Sequence, residues 1–575
     1  MHTFDQVMRD LNLRARPQQV KLSELLRSAD RNLPVIVQAG TGVGKSYCVL
    51  SEAVQRKRAT GKLSVVVCPT NALVDQYVSK DAPAVANVTG ATFTHLKGRS
   101  NYLCADSAEL SKAEDPPASY QELVRRHDSY ELSRLGLDSR EYGCPGSREC
   151  SGEACGALAA REAAVNFDVV ITNAHVLAWD KRIRSFTEGS YGLLPHYGAL
   201  LVDECHELES SLRSCLSDEI RPGSTVYTYV PGFKSWVLSH TRDLDDEVLF
   251  SPDDECRRWC EQARGELAEL RGDAEDAAMD SDFATAKVLR TKIAALERFC
   301  GLFDATDLDG TRFITTLTPD RTVRRICVDA SLLAGDILND QPSCLVSGTI
   351  PATLPRRLGT DRTPIHDVGH PFDYSKSVLV ISRYGPRTRS DQPYRVDQLV
   401  RAIRETGGGT LVLFTSWQDL NDIMGMVHRR LQSLGVRIPI LLQSRDDPAD
   451  TKQMISEFAV HGNAVLAGVA TLFTGIDIPG PALRQVVLWK LPYPVPSLEF
   501  QAIERAHGKQ VYFDEMLIRL AQGIGRLVRT AQDSGRVLIL DNRAKNQRWS
   551  ESTMTKHLTE FASSGPPPVR ALENA

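Results

Sequence analysis

No apolar run in this sequence reaches the roughly 20 residues that a membrane span requires. Its opening, MHTFDQVMRDLN, also lacks the form of a signal peptide. A cytoplasmic protein with no membrane partner is therefore expected. Net charge is scarce too. The 68 Lys and Arg against 73 Asp and Glu leave −5. That balance neither announces nor excludes a nucleic-acid partner, because a binding groove needs only local Lys and Arg. Paired C-x-x-C knuckles are absent as well. In a reducing compartment the 13 cysteines should not build a disulfide scaffold, so a close cluster of them suggests metal ligands instead.

What is present is more informative. A chain of 575 residues exceeds what one core supports, and 42% apolar residues are ample for several domains. Pro34 to Ser46, PVIVQAGTGVGKS, reads as a buried strand feeding a phosphate-binding loop. Its pattern is G-x-x-x-x-G-K-[ST], with Ala39 in place of the first Gly. Gly40, Gly42 and Gly44, with Thr41 and Val43 between them, let successive N–H groups turn toward one anion at the start of a helix. Lys45 would reach the β- and γ-phosphates of a nucleoside triphosphate, and the Ser46 hydroxyl would hold Mg²⁺. About twenty residues upstream, Gln19 in RPQQ could read an adenine edge by donating and accepting at once. LSVVVC (63 to 68) followed by Pro69 and Thr70 is a second strand-turn-helix unit. The expected fold class is therefore α/β, with parallel sheets covered by helices.

ALLVDECH (199 to 206) is an apolar strand ending in two carboxylates. At the carboxyl edge of a sheet beside a phosphate loop, Asp203 can hold the Mg²⁺ shell while Glu204 polarises the attacking water. His206 stands where it could couple the nucleotide to whatever the protein grips.

Asp203-Glu204-Cys205-His206 resembles the DEAH box of superfamily 2 helicases, with Cys at the third position. Ser347-Gly348-Thr349 resembles the motif linking ATP to DNA, and LVLFTS (411 to 416) resembles the strand that opens a second motor. TLFTGIDIP (471 to 479), KLPYPVPS (490 to 497) and QGIGRLVR (522 to 529) are most similar to the DinG branch of the XPD-like helicases. The likeness touches the chain from residue 16 to about 543. It implies two RecA-like motors closing over one ATP. The second motor must bring positive charge to the departing γ-phosphate, and Gly525-Arg526-x-x-Arg529 is expected to present both guanidiniums on one helical face as arginine fingers. Gln522 would contact the nucleotide or its water. Asp477 resembles the residue that senses the nucleotide sugar, and Thr471 is expected at the DNA backbone.

Two gaps between these motifs are each long enough for an inserted domain. The first holds Cys104, Cys144, Cys150 and Cys155, three of them within twelve residues. Spacing leaves zinc and an iron–sulphur centre both open, whereas the resemblance implies a [4Fe–4S] cluster. Cys48, Cys68, Cys205, Cys327 and Cys344 lie in apolar contexts, and Cys256 with Cys260 lies on a helical stripe, so these should pack. The second gap reads as mostly helical. Stripes through Ala263, Leu267 and Leu270 and through Leu289, Ile293, Leu296, Cys300 and Phe303 suggest an antiparallel pair, either the family's arch or a plain helical hairpin.

The expected domains are motor 1 in three parts (1–97, 166–215 and 316–358), an iron–sulphur domain (98–165), a helical arch (216–315), motor 2 (359–560) and a disordered, Pro-rich tail (561–575). The resemblance implies an ATP-dependent, 5′-to-3′ DNA helicase using ATP and Mg²⁺. It would be a monomer acting on single-stranded and forked DNA, with RNA–DNA hybrids as a further substrate and Tyr102 and Arg99 as strand-separating residues. The alternative is a translocase subunit recruited to a larger repair, phage or type IV CRISPR complex that strips R-loops or bound proteins. No nuclease domain is expected.

Overall fold

The computed structural model describes residues 4–31, 33–40, 42–103, 131–135, 155–186, 190–251, 253–279, 283–303, 313–372, 377–445, 450–469, 472, 482–528, 533–545 and 569–571. Short β-branched runs form the strands. In chain order they begin with β1 (Val35–Gln38), β2 (Leu63–Cys68), β3 (Phe93–Leu96), β4 (Val169–Asn173) and β5 (Tyr197–Asp203). The chain then leaves for β6 (Asp218–Ile220), β7 (Val248–Phe250), β8 (Phe313–Leu317) and β9 (Val323–Cys327), and returns with β10 (Ser343–Ser347) and β11 (Ile365–Asp367).

The first sheet has the order β11-β1-β10-β5-β2-β4-β3, and every pairing in it is parallel. β1, β2 and β4 are buried along their whole length, as a parallel sheet covered on both faces requires. One face packs under the helices Pro17–Arg27 and Lys45–Thr60, through Leu22, Leu26, Val49 and Ala53. The other packs under Ala174–Phe186, Leu208–Leu216 and Ser331–Asn339, through Leu177, Leu212 and Ile337. Register aligns the strand ends. Gln38 at the end of β1 pairs with Ser347 at the end of β10, and Val346 pairs with Asp203 at the end of β5. Three adjacent strands therefore release the phosphate loop, Ser347 and the Asp203-Glu204 pair side by side at the carboxyl edge, where open α/β sheets bind ligands.

The second sheet is built from β12 (Val378–Ile381), β13 (Thr410–Leu413), β14 (Ile440–Leu442), β15 (Val465–Gly468), β16 (Gln485–Leu488), β17 (Arg536–Ile539) and β18 (Val569–Ala571). Its order is β14-β15-β13-β16-β17-β12-β18, again all parallel. The fold class is thus α/β with two parallel-sheet units. β18 lies inside the tail expected to be disordered, and for these three residues that expectation is corrected by their pairing with Leu379–Ile381.

Between β5 and β10 stand two long helices, Asp254–Met279 and Phe283–Phe303. They run antiparallel, with Cys260 opposite Cys300 and Arg271 paired to Glu297 at 3.0 Å. Phe233 caps them with rings from Trp259, Phe299 and Phe303 around it at 4.9 to 5.8 Å. The insertion is less helical than its sequence suggests, because β6-β9-β8-β7 form a small antiparallel sheet at its base. β6 is only Asp218-Glu219-Ile220 and β9 reads VRRIC. Neither carries an alternating pattern long enough to register as a strand.

Candidate active site

The phosphate loop is shaped by glycine where nothing else fits. Gly42 and Gly44 have φ of +79° and +86°, the left-handed region that costs other residues about 1–2 kcal/mol. A Cβ on Gly42 would stand 2.0 Å from the Phe372 ring, and one on Gly44 would stand 2.5 Å from Gln19 Nε2. The loop is also anchored from outside. Ala39 N–H donates to Ser347 O at 2.8 Å and Gly40 N–H to Gly369 O at 3.3 Å. Val43 is fully buried beneath it, and Thr41 lies outside the described residues.

Gln19 is buried. Its Oε1 accepts from Arg16 N–H at 2.9 Å and its Nε2 donates to Gly44 O at 3.4 Å. It therefore fastens the helix Pro17–Arg27 to the loop, a role that its expected reading of adenine did not include. Arg16 continues the same brace, donating to Gly42 O and lying over the Phe372 ring at 5.4 Å.

Lys45 opens the helix Lys45–Thr60 and pairs with Glu204, with Asp203 at 4.0 Å. Burial opposes its charge, but the two carboxylates outweigh it and hold Lys45 protonated above its ordinary range. Burial pushes Asp203 above the usual carboxylate range against the charge of Lys45. Glu204 goes the other way, because the charges of Lys45 and His206 overcome its burial. Glu204 is thus held ionised, as an acceptor of a proton from water must be. Glu204 also has φ +48°, one of three non-glycine residues in the left-handed region among those described. Such strain persists where surrounding contacts over-determine it. Here Ser347 Oγ–H and Gly348 N–H donate to Glu204 Oε2 at 2.9 and 3.4 Å.

His206 joins this set to the second sheet. Its Nδ1 lies 2.7 Å from Ser347 Oγ, and its Nε2 lies 3.0 Å from Gln522 Nε2 on the helix Gln510–Ile524. Gln522, expected at the nucleotide, thus meets His206 across the two units. Arg526 comes four residues later. The helix ends at Ile524, with Gly525 as its cap. The buried Leu527 and Val528 then draw the chain into the core of the second sheet. The expectation of two guanidiniums on one helical face is therefore corrected at Arg526, which lies in the turn after the helix. Arg529, Asp477 and Thr471 fall outside the described residues.

Two participants were missed in the sequence. Tyr77 is 126 residues from Asp203, yet its hydroxyl donates to Asp203 Oδ2 at 2.7 Å. Asp81 stands near Ser46: burial raises its carboxyl pKa, and the Ser46 hydroxyl opposes that rise. Both sit on one π-helical turn, Tyr77–Asp81, a rare form found mostly at functional sites. A single turn of that kind has no sequence signature. Asp203, one expected Mg²⁺ ligand, is thus held by a side chain from this turn, and Asp81 stands near Ser46, the other.

Of the four expected cluster cysteines, Cys104, Cys144 and Cys150 lie outside the described residues. Cys155 precedes the helix Gly156–Ala164 and packs beside Tyr102 and Ala157. Tyr102 is two residues before Cys104 in the sequence, so the described residues flanking the insertion, Tyr102 and Cys155, pack together. Among the described residues, no three His, Cys, Asp or Glu side chains converge as a metal site. The cysteines expected to pack are buried: Cys48, Cys68, Cys205, Cys256, Cys260, Cys327 and Cys344. Tyr102 itself is only 3% exposed, and its hydroxyl accepts from Lys97 N–H at 3.0 Å. It cannot present a ring to DNA, which corrects its expected role as a separating residue. Arg99, on the turn Arg99–Asn101, is exposed.

Comparison with known proteins agrees with this geometry. The family described as DEAD/DEAH box helicase matches residues 16–103, and that described as helicase C-terminal domain matches residues 399–561. The chain is 25% identical to the ATP-dependent DNA helicase YoaA of Escherichia coli, with 97% of this chain and 95% of that protein covered. It is 27% identical to the ATP-dependent helicase DinG of Mycobacterium tuberculosis, with 94% and 92% covered. Among solved structures, an XPD helicase superposes with a TM-score of 0.61 at 18% identity, covering 97% of this chain and all of that one. A second, Xpd4 of S. tokodaii, gives 0.58 at 15% identity. The last two likenesses concern the fold.

Proposed function

We propose that this protein, which is a DinG- and XPD-like superfamily 2 helicase, uses ATP hydrolysis to move 5′-to-3′ along single-stranded DNA and part the duplex ahead of it. It is an ATP-hydrolysing DNA helicase, and its polarity, its action on forked DNA and RNA–DNA hybrids, and its working as a monomer are the finer parts of the proposal. One observation carries the reading. Lys45, Glu204, Ser347, His206 and Gln522 form an unbroken chain of contacts from the phosphate loop of one sheet to the helix that precedes Arg526 in the other. Such a chain can report the state of the nucleotide to the relative position of two motors, which is what directional movement requires.

The roles follow the contacts. The loop N–H groups and Lys45 would cradle the phosphates. Ser46 and Asp203 would hold Mg²⁺, which would neutralise phosphate charge there. Glu204 would accept the proton of the attacking water, while Arg526, with Arg529, would stabilise the departing phosphoryl group. The four thiols Cys104, Cys144, Cys150 and Cys155 would hold a [4Fe–4S] cluster, whose donor set they match. The packing of Cys155 against Tyr102 supports a common site.

No helix among the described residues is long and apolar enough to cross a membrane, and we place the protein in the cytoplasm. The deciding experiment is unwinding of 5′-tailed, 3′-tailed, forked and R-loop substrates by one preparation, with visible absorption reporting iron and sulphide. Unwinding of 5′-tailed but not 3′-tailed duplex supports the reading, and the reverse polarity overturns it. Activity confined to R-loops or bound proteins would instead favour the translocase recruited to a larger complex.

A further inference from the structure

Behind the nucleotide residues, a ladder of alternating charges crosses from one motor to the other. Glu209, three residues past His206, has a fully buried side chain. Its Oε1 accepts from Arg213 Nε and its Oε2 from Arg357 Nη2, both at 2.6 Å. Arg357 ends the short helix Leu354–Arg357, just beyond Ser347-Gly348-Thr349, and its side chain is 3% exposed. These three residues belong to the unit of the first sheet. The ladder continues into the second. Arg357 Nη2 also donates to Glu515 at 3.1 Å, and Arg213 Nη1 donates to Glu499 at 2.8 Å. Glu515 and Asp514 lie on the helix Gln510–Ile524, and Glu499 lies on Leu498–His507. Asp514 accepts from Thr353 Oγ1 at 2.5 Å.

We infer that Glu499 and Glu515 are positioning residues that dock the second motor on the Arg213–Glu209–Arg357 triad of the first and so set where Arg526 stands relative to the phosphate loop. The inference rests on the proposed function. Two asymmetries support it. The first is exposure. The triad is built inside one motor, whereas the carboxylates that complete it are 45% exposed at Glu499 and 26% at Glu515. They can be withdrawn into water at small cost, while Glu209 cannot. The second is charge. Two guanidiniums around one carboxylate leave the triad at +1, a net positive charge that attracts a carboxylate to each guanidinium. Buried ion pairs contribute little net stability compared with apolar packing, but they enforce a particular arrangement.

The geometry also specifies what is positioned. Glu515 and Gln522 are seven residues apart on one helix, so they share a face roughly 10 Å apart along its axis. Both reach the first motor, one through Arg357 and the other through His206. A helix held at two points on one face can neither roll nor slide. Arg526, in the turn at its end, is thereby aimed. If the docking carboxylates were neutral, the helix would keep its fold but lose one of its fixed points.

The test is steady-state ATPase of the full-length protein with single-stranded DNA, comparing wild type with the double variant E499Q/E515Q and with E515D. Amide exchange across Leu208–Leu216 and Gln510–Ile524 is followed by mass spectrometry. Misplacement of a charged group away from the chemistry costs on the order of ten- to a hundredfold in turnover. The double variant should therefore lose that much kcat, keep its KM for ATP within about twofold, and exchange faster at both helices. E515D should recover part of the rate. An unchanged kcat overturns the inference, as does a fall in kcat accompanied by an equal fall in the fraction of protein that binds ATP, which would mean simple unfolding. A wild type that hydrolyses no ATP would sink the helicase reading instead, so the two failures are distinguishable.

Discussion

Glu204 and Asp203 are adjacent carboxylates that their surroundings drive apart, one held ionised by Lys45 and His206 and the other pushed toward its neutral form by burial. Replacing Glu204 by Gln keeps shape but removes the base. ATP binding, measured by fluorescent nucleotide titration, should persist while hydrolysis falls to background. Loss of binding would show the pair to be misassigned. Tyr77→Phe tests the neighbour. Its hydroxyl is among the groups that lower the Asp203 pKa against the larger effect of burial, so removing it should raise that pKa further. Asp203 is active as a carboxylate, so the acidic limb of the ATPase profile should move to higher pH, with weaker Mg²⁺ dependence of roughly tenfold for the loss of one charge-assisted hydrogen bond. A superimposable pH profile would remove Tyr77 from the site. Arg526→Ala should lower turnover by roughly 10³-fold or more with little change in ATP affinity. An unchanged rate would transfer the finger's role to Arg529.

The phosphate loop is the element whose construction most limits substitution. Gly42→Ala places a methyl group into the Phe372 ring and onto a left-handed backbone. The strain, about 1–3 kcal/mol, should appear as ATP binding weakened by roughly tenfold or more. A KM equal to that of the wild type would mean that Phe372 swings away freely. The π-helical turn Tyr77–Asp81 complements the loop from the connection that follows β2, the strand beside β5. The loop was legible in the sequence because glycine, lysine and hydroxyl residues in fixed order have few other uses. The turn was not, because Tyr and Asp at i and i+4 occur in ordinary helices and only the register of β2 beside β5 gives them a purpose.

For the whole molecule, the proposed division is between an engine and a device that splits strands. Cys150→Ser should give colourless, iron-poor protein that retains much of its DNA-stimulated ATPase but no longer unwinds forked DNA, because loss of a ligand to the proposed cluster would unfold the insertion around it while the motors keep their fold. Iron content, ATPase and unwinding of one sample decide it, and normal unwinding would separate the cysteines from strand separation altogether.

Local chemistry alone determined the α/β class and marked the candidate nucleotide site. Lys45, Ser46, Asp203, Glu204 and His206 announce themselves through short-range patterns, since a phosphate cradle and a strand-end carboxylate pair are made by consecutive residues. The two long helices were equally visible, because their apolar stripes repeat over many turns. What only the tertiary structure decided are the relations between distant segments. Tyr102 is buried rather than presented, because its hydroxyl is bound within its own turn at Lys97. Gln522 meets His206 across 316 residues. The helix stops before Arg526, because Leu527 and Val528 gain more from the core than from another turn. Pairings of this kind depend on sheet order and on the docking of one motor against the other, and side chains that meet only after those surfaces close carry no spacing along the chain by which to find one another.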